Sequence, residues 1–183
     1  DSSSPVYRNQ LAVCKDIEAL RPRESDLWVL RARILEHQAR LDEAGKAHDK
    51  AGKAYEEAGK AYERAIELNP TMLTTYLLLA NNFDARQQPD AAMRTLTRLH
   101  EFGPSAVIQE LYAKASLYAQ WGLPAQAQEK VRKISDDDLR SAEPQVKLDV
   151  ARLMSRLDMK EQAAKLLASI PEQSPQRIQA GML

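Results

Sequence analysis

The sequence is poor in cysteine, in aromatic residues and in glycine. Its 183 residues include one cysteine, Cys14, which excludes an intramolecular disulfide and a cysteine-based metal cluster. Aromatic residues make up 5% of the chain, whereas 44% of the residues are hydrophobic. Small apolar residues, above all alanine, therefore supply much of the hydrophobic content, and such a composition is typical of closely packed helices.

Net charge and long hydrophobic runs are also absent. Lysine plus arginine and aspartate plus glutamate both number 26, so the formal net charge is zero. General binders of nucleic acid or of anionic membranes carry a basic excess, so we expect neither partner. No apolar run approaches the ~18 residues needed to cross a bilayer, so we expect no direct membrane insertion. The compartment stays open, and a soluble protein of the cytoplasm, or of the periplasm if bacterial, fits this composition.

Strict alternation of apolar and polar residues, the mark of a half-buried strand, is missing as well. Apolar residues instead recur at helical spacing, and turns that contain proline or glycine separate the runs. The sequence therefore predicts an all-α protein. The predicted helices cover residues 6–20, 73–85, 91–99, 108–120, 125–134, 144–157 and 158–170, with a further helix beginning near Ser25.

A seven-residue unit occurs three times in a row in residues 44–64, which read AGKAHDK, AGKAYEE and AGKAYER. Alanine, lysine and glutamate favour a helix here, while Gly45, Gly52 and Gly59 each oppose it by ~1 kcal/mol. We place a turn at residues 38–41. Because no proline or turn cluster interrupts residues 41–68, we predict one continuous extended helix there, about 28 residues long.

Large and small residues also recur in a fixed order with a period of about 34 residues. From Leu73 the order is Tyr76, Ala80, Phe83, Ala92, Leu96, Leu99 and Pro104. The order repeats from Ile108, with Leu139 in place of the proline, and from Pro144, with Lys147 in place of the first large residue. This pattern resembles the tetratricopeptide repeat, in which small residues let paired helices approach and large residues fill the gaps.

The resemblance implies an α-solenoid, a stacked array of antiparallel helix pairs. In such an array the first full repeat closes two heptads late, so the repeated units are a two-heptad insertion. We also expect the chain to be part of a longer array. The predicted divisions are a lead-in with a partial repeat (1–24), repeat 1 with its insertion (25–72), repeats 2 to 4 (73–106, 108–141 and 144–177) and the start of a further helix (178–183).

A continuous inserted helix would displace its neighbours by about 21 Å along its axis. We expect this shift to abolish the contact between the first helices of repeats 1 and 2 and to leave apolar surface uncovered. Uncovered stacking surface on a solenoid attracts a partner, so we predict a homodimer. A protruding solvated helix and a bulging loop are the alternatives. The predicted self-association residues are Ala44, Ala47, Ala51, Ala54, Tyr55, Ala58, Ala61 and Tyr62.

Residues that could carry chemistry do not form a recognisable motif. The three Gly-Lys-Ala sequences lack the Ser/Thr and the preceding strand of a phosphate-binding loop. The histidines His37, His48 and His100 are scattered and lack the spacing of metal ligands. We therefore predict no catalytic residue, no metal site and no cofactor, and expect the protein not to be an enzyme.

The resemblance also implies where a partner binds. In tetratricopeptide-repeat proteins the first helices line a concave groove that takes a protein or peptide, and Asn81 is the best candidate here to bond a peptide backbone. The expected function is a non-enzymatic interaction scaffold that self-associates. The alternatives are an assembly module of a bacterial envelope or secretion complex and, less favoured because of the zero charge, an RNA-binding helical repeat. The corresponding groove residues are Arg33, Leu77, Asn81, Asp84, Tyr112, Ser116 and Arg152.

Overall fold

A computed structural model describes residues 5–21, 23–171 and 174–176. Residues 1–4, the start of the predicted lead-in, and residues 177–183, which include the predicted further helix, lie outside the described residues. Every regular element within the described residues is helical, which confirms the all-α fold. The helices are α1 (Pro5–Leu20), α2 (Ser25–Ala44), α3 (His48–Leu68), α4 (Leu73–Ala85), α5 (Pro89–Thr97), α6 (Pro104–Gln120), α7 (Pro124–Arg132), α8 (Asp136–Ser141), α9 (Pro144–Arg156) and α10 (Lys160–Ala168), and a 3₁₀ helix (Arg98–Phe102) follows α5.

The helices fall into two compact units, residues 1–98 and residues 99–183. In the first unit, each of the helices α1 to α4 packs on the next one along the chain. In the second unit, α6 pairs with α7 and α9 pairs with α10. This packing of sequence neighbours in pairs is the arrangement expected of a helical repeat protein. No helix in the described part of the chain has both the length and the apolar character to cross a membrane.

The two helices of each pair (α2–α3, α4–α5, α6–α7 and α9–α10) are joined by the same type of three-residue turn. Its third residue donates its N–H to a carbonyl five residues earlier, as Ala47 does to Asp42 at 2.7 Å. This is the Schellman motif, which satisfies carbonyls left open at a helix end and needs a left-handed residue in the middle of the turn. The middle residues are Lys46 (φ 61°), Gln87 (φ 57°), Gly122 (φ 72°) and Asp158 (φ 60°).

The turn of the first pair lies inside the repeated segment. The chain leaves α2 at Gly45 and enters α3 at His48, so the continuous helix predicted for residues 41–68 is wrong. The turn predicted at residues 38–41 is also wrong, because these residues are helical in α2. Residues 41–68 thus contribute to both helices of the pair, and both helices are long. They have 20 and 21 residues, against 13 in α4 and 9 in α5.

The division of the repeated segment between two helices has a physical reason. Ala39 from α2 and Ala51, Ala54 and Tyr55 from α3 form a buried cluster, so the ends of the two helices near the turn cover each other. A single helix with all the added length would leave half of its apolar stripe in water, at a cost of ~25 cal/mol per Å² of apolar surface.

Several prolines begin helices, including Pro104, which predicted the end of one. Each lies in the first turn of its helix, where a missing N–H costs nothing because no partner exists for it there. As a result α6 begins at Pro104 and not at Ile108. Helices α1 at Pro5, α5 at Pro89 and α7 at Pro124 start in the same way, and α9 begins at Pro144 as predicted.

The short helix α8 accounts for the lysine that departs from the repeat pattern. The acidic run that begins at Asp136 is the first turn of α8, and Ser135 Oγ caps it by accepting from the N–H of Asp138 at 3.1 Å. Lys147 is buried in the place of a large apolar residue, and its Nζ donates to the carbonyl of Arg140 at 2.8 Å. The aliphatic part of the Lys147 side chain therefore occupies the space of the large apolar residue. Its ammonium group lies at the carbonyl end of α8, where a cation is favoured.

Candidate functional site

A buried polar network connects α2, α3 and α4 through Glu36, Tyr62 and Asn82. The Tyr62 hydroxyl donates to Glu36 Oε2 at 3.0 Å, and Asn82 Nδ2 donates to Glu36 Oε1 at 3.1 Å. Asn82 Nδ2 also lies 3.0 Å from the carbonyl of Tyr55. Tyr62 and Asn82 are fully buried and Glu36 is 8% exposed. Hydrogen bonds to a charged group contribute ~1.5–3 kcal/mol each, so this network fixes the three helices against one another.

The bond between Asn82 and Glu36 joins the first helices of two successive pairs, α2 and α4. The expected loss of contact between these helices is therefore wrong. The chain turns back at Gly45, so the parts of α2 and α3 near Glu36 and Tyr62 meet α4 without the shift that one long helix would impose.

The repeated unit produces a second tyrosine–glutamate contact one heptad away. The Tyr55 hydroxyl donates to Glu43 Oε2 at 3.3 Å. Burial raises the pKa of Tyr55, and the charge of Glu43 adds to this effect. Burial, followed by the charge of Glu36, raises the pKa of Tyr62 strongly. The two glutamates of α2 and the two tyrosines of α3 therefore keep the same seven-residue spacing across an antiparallel pair.

The glycines of the repeated unit have different surroundings. A Cβ atom on Gly59 would lie 2.9 Å from Asn82 Oδ1 and 3.2 Å from an Arg86 Nη atom. A Cβ atom on Gly52, one heptad earlier, would meet nothing within 4 Å. Gly45 ends α2 at the turn. Only Gly59 is thus required for the close approach of α4 and for the position of the Asn82 side chain.

The predicted self-association residues are mostly inside the chain. Ala44 is exposed and Ala47 is half-buried. The remaining six are Ala51, Ala54, Tyr55, Ala58, Ala61 and Tyr62, all of which are buried by the chain's own helices. The expectation that this stripe would be uncovered is therefore wrong. A dimer that uses these side chains has to exchange helices between copies.

In the first unit, the predicted groove residues lie on α2 and α4. Arg33 of α2 and Asn81 of α4 are exposed, whereas Leu77 and Asp84 of α4 are half-buried. Asn81 is next to the buried Asn82 in sequence, so these neighbours present one amide to solvent and one to the network. On α4, the Asn82 side chain is thus held in the buried network, while the Asn81 side chain is exposed to solvent.

In the second unit, the predicted groove residues lie on α6 and α9, and all of them are half-buried. Tyr112 packs against the apolar core of this unit. The buried Oγ of Ser116 has no hydrogen-bond partner among the described residues. Arg152 Nη1 lies 3.9 Å from Asp149 Oδ1. These side chains offer an aromatic ring, a hydroxyl and a cation, and they belong to a separate unit from Arg33 and Asn81.

Glu36 and Asn82, the polar centre of the first unit, are not among the residues predicted from the sequence. They are 46 residues apart, and charged or amide side chains on helices are usually exposed. One signal was present. Glutamate recurs seven residues later at Glu43, just as tyrosine recurs at Tyr55 and Tyr62. Matched heptads on both helices of a pair indicate side chains that meet.

Within the described residues, no cluster of three or more histidine, cysteine, aspartate or glutamate side chains could hold a metal ion. Comparison with curated protein sequences gives no significant match. Residues 50–115, from α3 into α6, match the family model of the tetratricopeptide repeat. This repeat is an interaction scaffold that typically binds proteins or peptides and is generally non-enzymatic. The match confirms, for residues 50–115, the resemblance to the tetratricopeptide repeat seen in the sequence.

Proposed function

We propose that the protein is a non-enzymatic scaffold that binds an extended protein segment across α2 and α4. The observation that carries this proposal is the bond between Glu36 and Asn82, which joins these two helices, while nearby Arg33 and Asn81 stay exposed. A surface held in place before binding loses little entropy when a partner arrives. An assembly module of a bacterial envelope or secretion complex would use the same surface.

The chemistry of this surface suits a peptide backbone. The amide of Asn81 can donate to a carbonyl and accept from an N–H, which are the two groups that every extended residue presents. The guanidinium of Arg33 can bind a carboxylate or a carbonyl of the peptide, and half-buried Leu77 can make an apolar contact with it. The surface therefore favours an extended segment with at least one acidic residue.

Selection from a library of random displayed dodecapeptides tests this function. We expect enriched peptides to bind the intact chain and to lose about fivefold or more in affinity for Asn81→Ala, since one hydrogen bond contributes ~1 kcal/mol. Asn9→Ala, which truncates an exposed asparagine of α1, is the matched control and keeps full affinity. Enriched peptides that bind Asn81→Ala and Arg33→Ala as tightly as the parent would refute the proposed surface.

A second candidate function is self-association by helix exchange. The repeated heptads on both sides of Gly45 favour it, because an opened turn would join α2 to α3 in one long helix. In a dimer of opened chains, each α2 would pack on the partner's α3 and form the contact between Glu36 and Tyr62 again. Such exchange costs little beyond the turn itself, since the contacts are the same in both states.

Mass measurement by light scattering tests the exchange. The double variant Gly45→Ala with Lys46→Ala disfavours the left-handed turn and favours the open helix, so it should raise the dimer fraction. Lys46→Gly favours the closed turn and should lower it, as should deletion of residues 45–58. If the parent and the alanine variant are both monomers at high micromolar concentration, exchange does not occur.

A further inference from the structure

A cleft of about 440 Å³ lies between the second helices α7 and α10 and is bordered by the short helix α8. It belongs wholly to the unit formed by residues 99–183. Its location differs from the surface across α2 and α4 proposed above. Its volume is within the ~300–1,000 Å³ that is typical of ligand sites.

The floor of the cleft is apolar. Ile134 and Leu139 lie on the α8 side, and Met154 and Met159 flank the turn between α9 and α10. Each of these side chains is at least nine-tenths covered by the chain. Methionine side chains are unbranched and polarizable, so they adapt their shape to different apolar groups. The floor can therefore accommodate one bulky apolar side chain, and side chains of different shapes fit it equally.

The rim of the cleft is basic in a chain whose net charge is zero. Arg132, Arg140 and Lys165 line it, against a single carboxylate, Asp136. Arg140 pairs with Asp137. Arg132 donates to the neutral side chain of Gln128 at 3.3 Å, and Lys165 has no ion-pair partner within the described part of the chain. Two of the three cations are thus available to an anionic ligand.

We propose that this cleft docks a short acidic segment of a partner protein. The segment places one bulky aliphatic or aromatic side chain on the methionine floor and sets its carboxylates against Arg132 and Lys165. Charge complementarity selects the acidic partner and speeds its arrival, while the buried apolar side chain supplies most of the affinity. A scaffold with this second site can hold two partner segments at once.

The test uses dodecapeptides displayed at random and selected on the full chain. Binders are sorted by their affinity for two variants with the same change in net charge, Arg132→Glu with Lys165→Glu at the rim and Arg156→Glu with Lys160→Glu away from it. We expect one class of binders to be rich in Asp and Glu around an aromatic or aliphatic residue. This class should lose about fivefold or more in affinity for the rim variant alone.

A second measurement locates the bound peptide. The chain has five methionines, so methyl-labelled methionine gives few NMR signals. A synthetic peptide of the acidic class should shift the signals of Met154 and Met159 and leave those of Met72 and Met93 in place. The proposal is overturned if no acidic class is enriched, if that class binds both charge variants equally, or if the Met154 and Met159 signals do not move. Loss of binding to Asn81→Ala alone would support the α2–α4 surface and overturn the cleft.

Discussion

The hydroxyl of Tyr62 donates a 3.0 Å hydrogen bond to Glu36, which lies on the opposite helix of the pair. Seven residues earlier on α3, Tyr55 reaches Glu43 at 3.3 Å. The two contacts have the same chemistry but different environments, since Glu36 is buried and Glu43 is exposed. The inner contact also meets Asn82 of α4, so it connects the lengthened pair to the next one.

Removal of the inner hydroxyl should destabilise the fold more than removal of the outer one. Tyr62→Phe takes a donor from a buried carboxylate and should lower the free energy of unfolding by ~1–3 kcal/mol. Tyr55→Phe, the matched control, leaves Glu43 in contact with water and should cost less than ~0.5 kcal/mol. Urea unfolding followed by circular dichroism measures both values. Equal losses would contradict the buried network.

Two glycine substitutions should have opposite effects. Gly52→Ala places a methyl group in open space on a helix and should stabilise by ~0.5–1 kcal/mol. Gly59→Ala brings its Cβ to 2.9 Å from Asn82 Oδ1. Because Asn82 is buried and held by two hydrogen bonds, it cannot move aside cheaply, and we expect a net loss of ~1–3 kcal/mol. Thermal melting of both variants is the measurement, and a stabilised Gly59→Ala would be inconsistent with the close packing of α3 on α4.

The position of the first turn can be tested in the same way. Lys46 has a φ of 61°, a conformation that costs a side chain ~1–2 kcal/mol and glycine almost nothing. Lys46→Gly should therefore stabilise the chain by about 1 kcal/mol. Lys53→Gly changes the same residue of the next unit, which is inside α3, and should destabilise by ~1 kcal/mol. A continuous helix through residues 41–68 would make both substitutions destabilising.

Stability should fall at alkaline pH. In the folded chain, the pKa values of Tyr55 and Tyr62 lie above the ordinary value of about 10. Above that pH the unfolded chain releases tyrosine protons that the folded chain keeps, so the free energy of unfolding declines as pH rises. Below that pH this contribution is fully present. Unfolding by urea between about pH 8 and pH 11 should show the decline, and it should be smaller in Tyr62→Phe.

Several elements could be predicted from the sequence because their signals are local. Helix α4 has the predicted bounds, 73–85, since proline or glutamine turns flank a clear apolar stripe. Ala80 and Ala115, the small residues of the repeat pattern, are fully buried as that pattern implies. Bounds set by proline were less accurate, because proline both ends one helix and begins another.

The buried centre of the site could not be predicted in the same way. Asn82 and Glu36 are polar residues on helices, where exposure is the usual outcome. Their burial depends on a partner 46 residues away. The exposed groove residues Arg33 and Asn81 were placed by their repeat positions alone, and their role as a binding surface stays a prediction.

The sequence by itself determined that the chain folds into paired helices with a repeat of large and small residues, and it predicts two extra heptads in one repeat. It did not determine which of the three Gly-Lys-Ala sequences forms the turn, because all three have the same local preference for a helix or a turn. The tertiary structure decided this. A turn at Gly45 lets Glu36 and Glu43 meet Tyr62 and Tyr55 and lets the neighbouring ends of α2 and α3 cover each other. Only these long-range contacts distinguish a turn at Gly45 from a turn at Gly52 or Gly59.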